Sequence, residues 1–227
     1  MVMKQLFHHM NMASGGAYFQ FMRQINSKDI NTIVELGSRD GRDAIRLRDE
    51  FDARVVSFEC NPMAITRCET RLAPQQNIRF VPLGVWDSTT EIPFYPVVNG
   101  NYGASSAFKA NHAYPYETPY EQNKIDVDVV RLDNWWEENE TGDIDLLCMD
   151  LQGSELKALE GAGDLLHSID YIITEVQFER LYHSTSYFSD INEYLKEYNF
   201  MDADVVGVND WFGDALFVKQ HQHRKHE

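Results

Sequence analysis

Thr32-Ile33-Val34-Glu35-Leu36-Gly37-Ser38-Arg39-Asp40-Gly41 is the stretch that decides the fold of this chain. A β-branched apolar run ends in an acid, and two glycines follow in an acid-x-Gly-x-x-x-Gly spacing. A helical pattern over residues 42–51 comes directly after. The sequence therefore predicts a buried strand over 32–36, then a tight turn at Gly37. Without a side chain at Gly37, the backbone turns sharply and a ligand approaches closely. In an open α/β sheet, ligands bind beyond the carboxyl ends of the strands, where strand order reverses. Gly37, Ser38, Arg39 and Gly41 are thus candidate cofactor-binding residues, and Glu35 is placed to receive an ammonium group, directly or through water.

The turn differs from the dinucleotide fingerprint, which needs G-x-G-x-x-G so that a pyrophosphate rests on a helix N-terminus. Here Asp40 and Asp43 crowd that helix start and would repel a pyrophosphate, which favours a zwitterionic ligand. A second element is Glu59-Cys60-Asn61, at the end of the next apolar run and 18 residues beyond Gly41. An acid at that position accepts both hydroxyls of a ribose. The third is Leu83-Gly84-Val85-Trp86-Asp87, where an adenine would lie against Val85 or Trp86. Each element alone has a plain structural explanation; three in order at strand ends are specific.

Outward from this core, strands are expected over 54–59, 78–82, 144–150 and 169–176, with helices over 62–72, 154–166 and 191–198. Leu156, Leu159, Ala162 and Leu166 mark one face of the second of these helices. Residues 204–208 and 215–219 form a closing antiparallel pair around the turn-rich 209–213. The alternation predicts an α/β fold with a mostly parallel sheet and helices on both faces. One domain over residues 1–227 is expected, with a helical extension at 1–29 and a tail at 220–227. Residues 96–123 carry Tyr102, Phe108, Tyr114, Tyr116 and Tyr120 among polar residues and read as a substrate lid. The runs at 91–95 and 125–131 flank it and are expected to pair.

The 227 residues include 36 acidic and 20 basic side chains, for a formal net charge of -16. Such a surface repels phosphate backbones and anionic membranes, so neither a nucleic acid polymer nor a membrane is the expected partner. Three cysteines without metal-type spacing suit reduced thiols. The first residues lack the apolar core of a signal peptide, and no apolar run approaches the roughly 20 residues of a membrane span. A cytoplasmic location is the expectation.

Residues 143–162, Asp143-Ile-Asp-Leu-Leu-Cys-Met-Asp-Leu-Gln-Gly-Ser-Glu-Leu-Lys-Ala-Leu-Glu-Gly-Ala162, resemble the D-L-L-K-I-D-V-x-G-x-E-x-x-x-L-x-G-A motif of the FkbM-type methyltransferases. Asp150, Gly153, Glu155, Leu159, Gly161 and Ala162 stand in register, and Thr174-Glu175-Val176 with Leu181-Tyr182 is similar to the family's next strand and loop. The resemblance spans about residues 30 to 219. It implies a Rossmann-like class I methyltransferase fold, whose sheet is seven-stranded with an antiparallel final strand. It further implies S-adenosylmethionine as methyl donor and O-methylation of a sugar, glycan or small metabolite. One departure is Cys148, where the family often has a lysine; if that lysine places the acceptor, the acceptor here differs.

Methyl transfer needs oxygen, methyl and sulfur held in line, and a hydroxyl acceptor must lose its proton or bind a metal. Asp150 and Glu175, at strand ends, are catalytic candidates, and Asp150 also joins the cofactor-binding set. With Glu155 they offer three carboxylates to magnesium or manganese, which prefer oxygen ligands. His183 is the metal-free candidate base. A non-catalytic S-adenosylmethionine-binding module and a nucleotide-dependent oxidoreductase stand as alternatives.

Overall fold

The computed structural model describes residues 17–111, 120–207 and 209–220. His112, Tyr114 and Tyr116 of the expected lid, the start of the N-terminal extension and the tail from 221 lie outside the described residues. The strands are β1 (Thr32–Leu36), β2 (Arg54–Phe58), β3 (Ile78–Val81), β4 (Gly84–Val85), β5 (Thr90–Phe94), β6 (Val97–Asn99), β7 (Glu121–Gln122), β8 (Ile125–Val130), β9 (Leu146–Met149), β10 (Tyr171–Gln177), β11 (Asp204–Gly207) and β12 (Phe212–Val218). The helices are α1 (Arg42–Phe51), α2 (Pro62–Leu72), α3 (Leu132–Asn139), α4 (Glu155–Ala162) and α5 (Phe188–Lys196).

Seven strands form the main sheet in the order β11-β12-β10-β9-β1-β2-β3. β3, β2, β1, β9 and β10 run parallel, and β12 is antiparallel to both β10 and β11. The chain winds outward from β1 to β3, then returns to the other side of β1 at β9. The order therefore reverses between β1 and β9, which is where a ligand crevice opens in such sheets. This is the Rossmann-like α/β architecture read from the sequence, with helices on both faces.

Alternation along the strands feeds two cores. Val34, Leu147 and Met149 pack with Trp135, Trp136, Leu159 and Leu166 on one face. Ile33, Leu146 and Cys148 pack with Leu47, Cys68 and Phe21 on the other. Both helices flanking β2 begin as the sequence suggests. Gly41 takes a left-handed φ of 75° at the start of α1. Asn61 caps α2, accepting from the Met63 amide at 3.1 Å, and Pro62 occupies the first turn.

Three expectations change. The described part of the helical extension expected at 1–29 forms not a continuous helix but short 3-10 turns at Ala17–Gln20, Met22–Gln24 and Ser27–Asp29. Phe21 between the first two is fully buried, and with Ile25 and Ile30 it anchors this segment to the core on the α1 side of the sheet. The helix expected over 154–166 ends at Ala162 and continues as a 3-10 segment, Gly163–His167. α3 was not anticipated: its eight residues span two turns, too short for a periodic stripe, yet they bury Trp135 and Trp136. Between β3 and α3 the chain builds a side sheet, β4-β8-β5, with β6 and β7 paired beyond it. The expected pairing of the lid-flanking runs is the antiparallel β5–β8 contact.

Candidate functional site

A cleft of about 950 Å³, part of it open to solvent, lies beyond the ends of β1, β2 and β9. Its floor is the contact between two strand ends: the Asp150 amide donates to the Leu36 carbonyl at 3.1 Å. Gly37 (φ 91°) fits only because it lacks a side chain, since a Cβ there would fall 2.2 Å from the Asp150 carbonyl oxygen. Gly37 and Arg39 stand on one wall; Glu59, Cys60 and Asn61 continue it. Gly84, Val85 and Trp86 form the apolar opposite side with Ile92 and Phe94 of the side sheet. Gly84 too is a close approach, its missing Cβ 2.8 Å from a Val129 methyl. Tyr102, Gly103, Ser105 and Ala107 of the expected lid also line the cleft.

Glu59 is the best-defined group on this wall. Its two oxygens accept the Arg39 amide at 2.8 Å and the Asn61 amide at 2.7 Å. Burial raises its pKa, and these backbone donors oppose the rise. A carboxylate has about four acceptor sites, so each oxygen keeps one for a ribose hydroxyl. Arg39 and Arg67 are the cations on the wall among the described residues. Arg39 lies beside Asp150 and lowers that carboxyl's proton affinity, against the larger opposing effect of burial. The wall thus offers an acid for hydroxyls, a cation for a carboxylate and an apolar slot for a base, a donor and acceptor set that fits S-adenosylmethionine.

Glu35, Ser38 and Gly41 are not on the cleft wall. Glu35 points to the α1 side of the sheet, 1% exposed, and accepts the Ser57 hydroxyl at 2.6 Å. Burial pushes its pKa up to about 7. Its register partner in β9 is Cys148, which is fully buried and whose thiol burial holds well above the ordinary range. The Cys148 position therefore faces the core on the α1 side beside Glu35, away from the cleft. Gly41 starts α1 with its backbone against the Leu72 side chain, and Ser38 donates its amide to the Phe58 carbonyl at 3.0 Å.

Asp150 stands on the cleft wall just beyond β9, with Glu175 of β10 behind it. Gln152 bridges them: its amide nitrogen is 2.6 Å from Asp150 Oδ1 and 3.2 Å from Glu175 Oε1. Burial first, then the neighbouring acids, hold Glu175 well above the usual carboxylate range. Across the β10–β12 ladder Glu175 is in register with Asp214, which is 3% exposed. Burial and Asp150 push the Asp214 pKa up to about 8.

The expected metal triad does not assemble. Glu155 Oε1 accepts the Leu151 amide at 2.9 Å and the Gly153 amide at 3.2 Å, so this acid ties its own loop. Among the described residues no group of three or more His, Cys, Asp or Glu side chains is arranged to hold a metal ion. Asp150 and Glu175 are brought together; Glu155 is not brought to them as a third ligand. His183 is exposed and absent from the cleft wall, its amide donating to the Lys109 carbonyl at 2.9 Å.

Sequence reasoning assigned no site role to Gln152, Tyr182 or Asp214. Asp214 lies in turn-rich sequence just ahead of the strand expected from 215, and β12 in fact begins at Phe212. Tyr182 and Gln152 meet across 30 residues of chain, a contact that no local pattern signals. Among the described residues, no helix is long and apolar enough to cross a membrane.

Solved structures share this architecture at low identity. The precorrin-6y C5,15-methyltransferase of Geobacter metallireducens aligns over 95% of this chain and 94% of its own, with a TM-score of 0.54 and 9% identity. The fibrillarin of Aeropyrum pernix, with S-adenosyl-L-methionine bound, aligns over 89% of this chain and 72% of its own, with a TM-score of 0.53 and 13% identity. In sequence, the chain is 32% identical over 158 residues to the 2-O-methyltransferase NoeI of Sinorhizobium fredii (strain NBRC 101917 / NGR234). That alignment covers 66% of this chain and 65% of the relative. The model of the methyltransferase FkbM domain matches residues 35–201, and this chain belongs to that family.

Proposed function

We propose that this chain is an S-adenosylmethionine-dependent O-methyltransferase whose acceptor is a hydroxyl of a sugar, a glycan or a small metabolite. One observation carries the reading: a single cleft at the strand-order switch holds Glu59 on one wall and Asp150 on another. The cofactor, when bound, supplies a methyl group on a sulfonium sulfur. Glu59 accepts the ribose hydroxyls, Arg39 faces the carboxylate end, and Val85 with Trp86 packs against the base. Asp150 takes the proton of the acceptor hydroxyl, with Arg39 beside it favouring the ionised form. The apolar side sheet and residues 102–107 exclude water from the reacting oxygen.

The hydroxyl acceptor draws support from the relative named as a 2-O-methyltransferase. A small neutral acceptor also suits a chain of net charge -16. The test is transfer from S-adenosyl-[methyl-¹⁴C]methionine to a panel of methyl glycosides, oligosaccharides, phenols and, as a contrasting arm, RNA. Labelled ether on a glycoside or phenol with matching S-adenosylhomocysteine supports the proposal. Label on RNA alone overturns the acceptor class. No transfer to any arm by folded, cofactor-binding protein favours a binding module over an enzyme.

A further inference from the structure

Gln152 makes contacts that its place in a loop does not require. Its φ of 54° lies in the left-handed region, uncommon for a residue with a side chain. Its backbone carbonyl accepts the Ser106 hydroxyl at 2.8 Å, and its side-chain carbonyl accepts the Tyr182 hydroxyl at 2.7 Å. Its amide nitrogen reaches both Asp150 and Glu175. A primary amide has two N–H donors, one for each carboxylate. The flipped amide would aim carbonyl lone pairs at two acids, so chemistry fixes the orientation. Tyr182, 3% exposed, has one proton to give. Its oxygen is 2.7 Å from Gln152 Oε1 and 3.2 Å from the Ala104 carbonyl, and the shorter contact takes that proton.

We propose that Gln152 is the positioning residue of the acceptor side: its amide, oriented by Tyr182, fixes Asp150 through Oδ1 and leaves Oδ2 for the cleft. Asp150 itself lines the cleft. The bond to Asp150 is shorter than that to Glu175, and Asp214 stands opposite Glu175. Negative charge is therefore best accommodated on Asp150. Ser106 and Ala104 belong to the segment covering the cleft, so Gln152 also joins that cover to the acid pair. The inference rests on the reading of Asp150 as base. The other charged or titratable groups acting on the pair are Arg39, Asp43, Glu59, Glu155 and Asp214, with Tyr182 at the far end of the amide.

The test needs no acceptor. In ¹⁵N–¹H spectra of the full chain, the Gln152 side-chain amide is identified by its loss in Gln152→Ala and followed from pH 5 to pH 9. Expected are two separate, exchange-protected protons that shift with pH, the response disappearing in Asp150→Asn. Burial raises the Asp150 pKa, and donation from Gln152 opposes that rise. Tyr182→Phe loosens that donation, so the midpoint moves up by roughly 0.5–1 pH unit, the size of one hydrogen bond. S-adenosylhomocysteine affinity in Tyr182→Phe stays within about threefold of the parent, as the Tyr182 side chain is off the cleft wall. Freely exchanging amide protons, or an unchanged midpoint in Tyr182→Phe, overturn the proposal. Because nothing is turned over, failure of the methyl-transfer reading shows separately, as an Asp150→Asn protein that still methylates.

Discussion

Two sets of buried acids in one molecule are satisfied in opposite ways. Glu59 and Glu155 each accept two backbone amides from turns close in sequence or space. Glu175 and Asp214 instead face each other across a strand ladder, each accepting from a side-chain amide, Gln152 and Gln20 respectively. Burial raises all four, but backbone donors check the rise for the first pair and neighbouring acids add to it for the second. Backbone amides cannot rearrange without unfolding the turn, so they make fixed anchors. Acids that face acids have their proton affinity raised by each other as well as by burial, which favours proton chemistry on the β9–β10 side of the cleft and ligand anchoring on the β1–β2 side.

If that division holds, removing the acid between the two sets has the largest effect. Asp150→Asn lowers kcat about 10²- to 10⁴-fold, the usual contribution of a general base, while S-adenosylhomocysteine affinity changes little. Steady-state kinetics beside calorimetry separates the two. Gly37→Ala attacks the floor that both sides share. A side chain at φ 91° that must displace the Asp150 carbonyl costs about 2–5 kcal/mol of stability, read by urea unfolding. A loss below about 1 kcal/mol would show that the strand ends yield easily.

Glu59→Ala probes the anchoring side alone. It weakens cofactor binding by about 1.5–3 kcal/mol, since the hydrogen bonds lost are to a charged acceptor. An unchanged affinity removes the ribose role. The smallest effect is on pH dependence. Folded Asp214 keeps its proton up to about 8, whereas an unfolded aspartate sheds it near 3.9. The folded state therefore binds the extra proton between those values, and stability falls as pH rises through that window. Asp214→Asn flattens the slope and raises the urea midpoint at pH 8 by roughly 0.3–1 M. A variant with the parent's slope would place the proton elsewhere.

The same contrast explains what was legible in the sequence. α1 and α2 were read to the residue because Gly41, Asn61 and Pro62 mark their starts locally. Glu59's place on the cleft wall was readable because it stands at a strand end. Glu35 was misplaced because alternation along β1 turns it to the face opposite Leu36, and only Leu36 of the two reaches the cleft. Glu155 looked like a ligand because composition shows a carboxylate but not which amides it already accepts. Asp214 and Tyr182 enter the site through pairings of β12 with β10 and of residues 182 and 152, which depend on tertiary register rather than on any local pattern.

Titration calorimetry of the full chain with S-adenosylmethionine and S-adenosylhomocysteine tests the central claim most directly. The account predicts binding of both at one site with a Kd of about micromolar, falling about ten- to a hundredfold in Glu59→Ala. Folded protein that binds neither would contradict it, and the cleft would then need a different ligand.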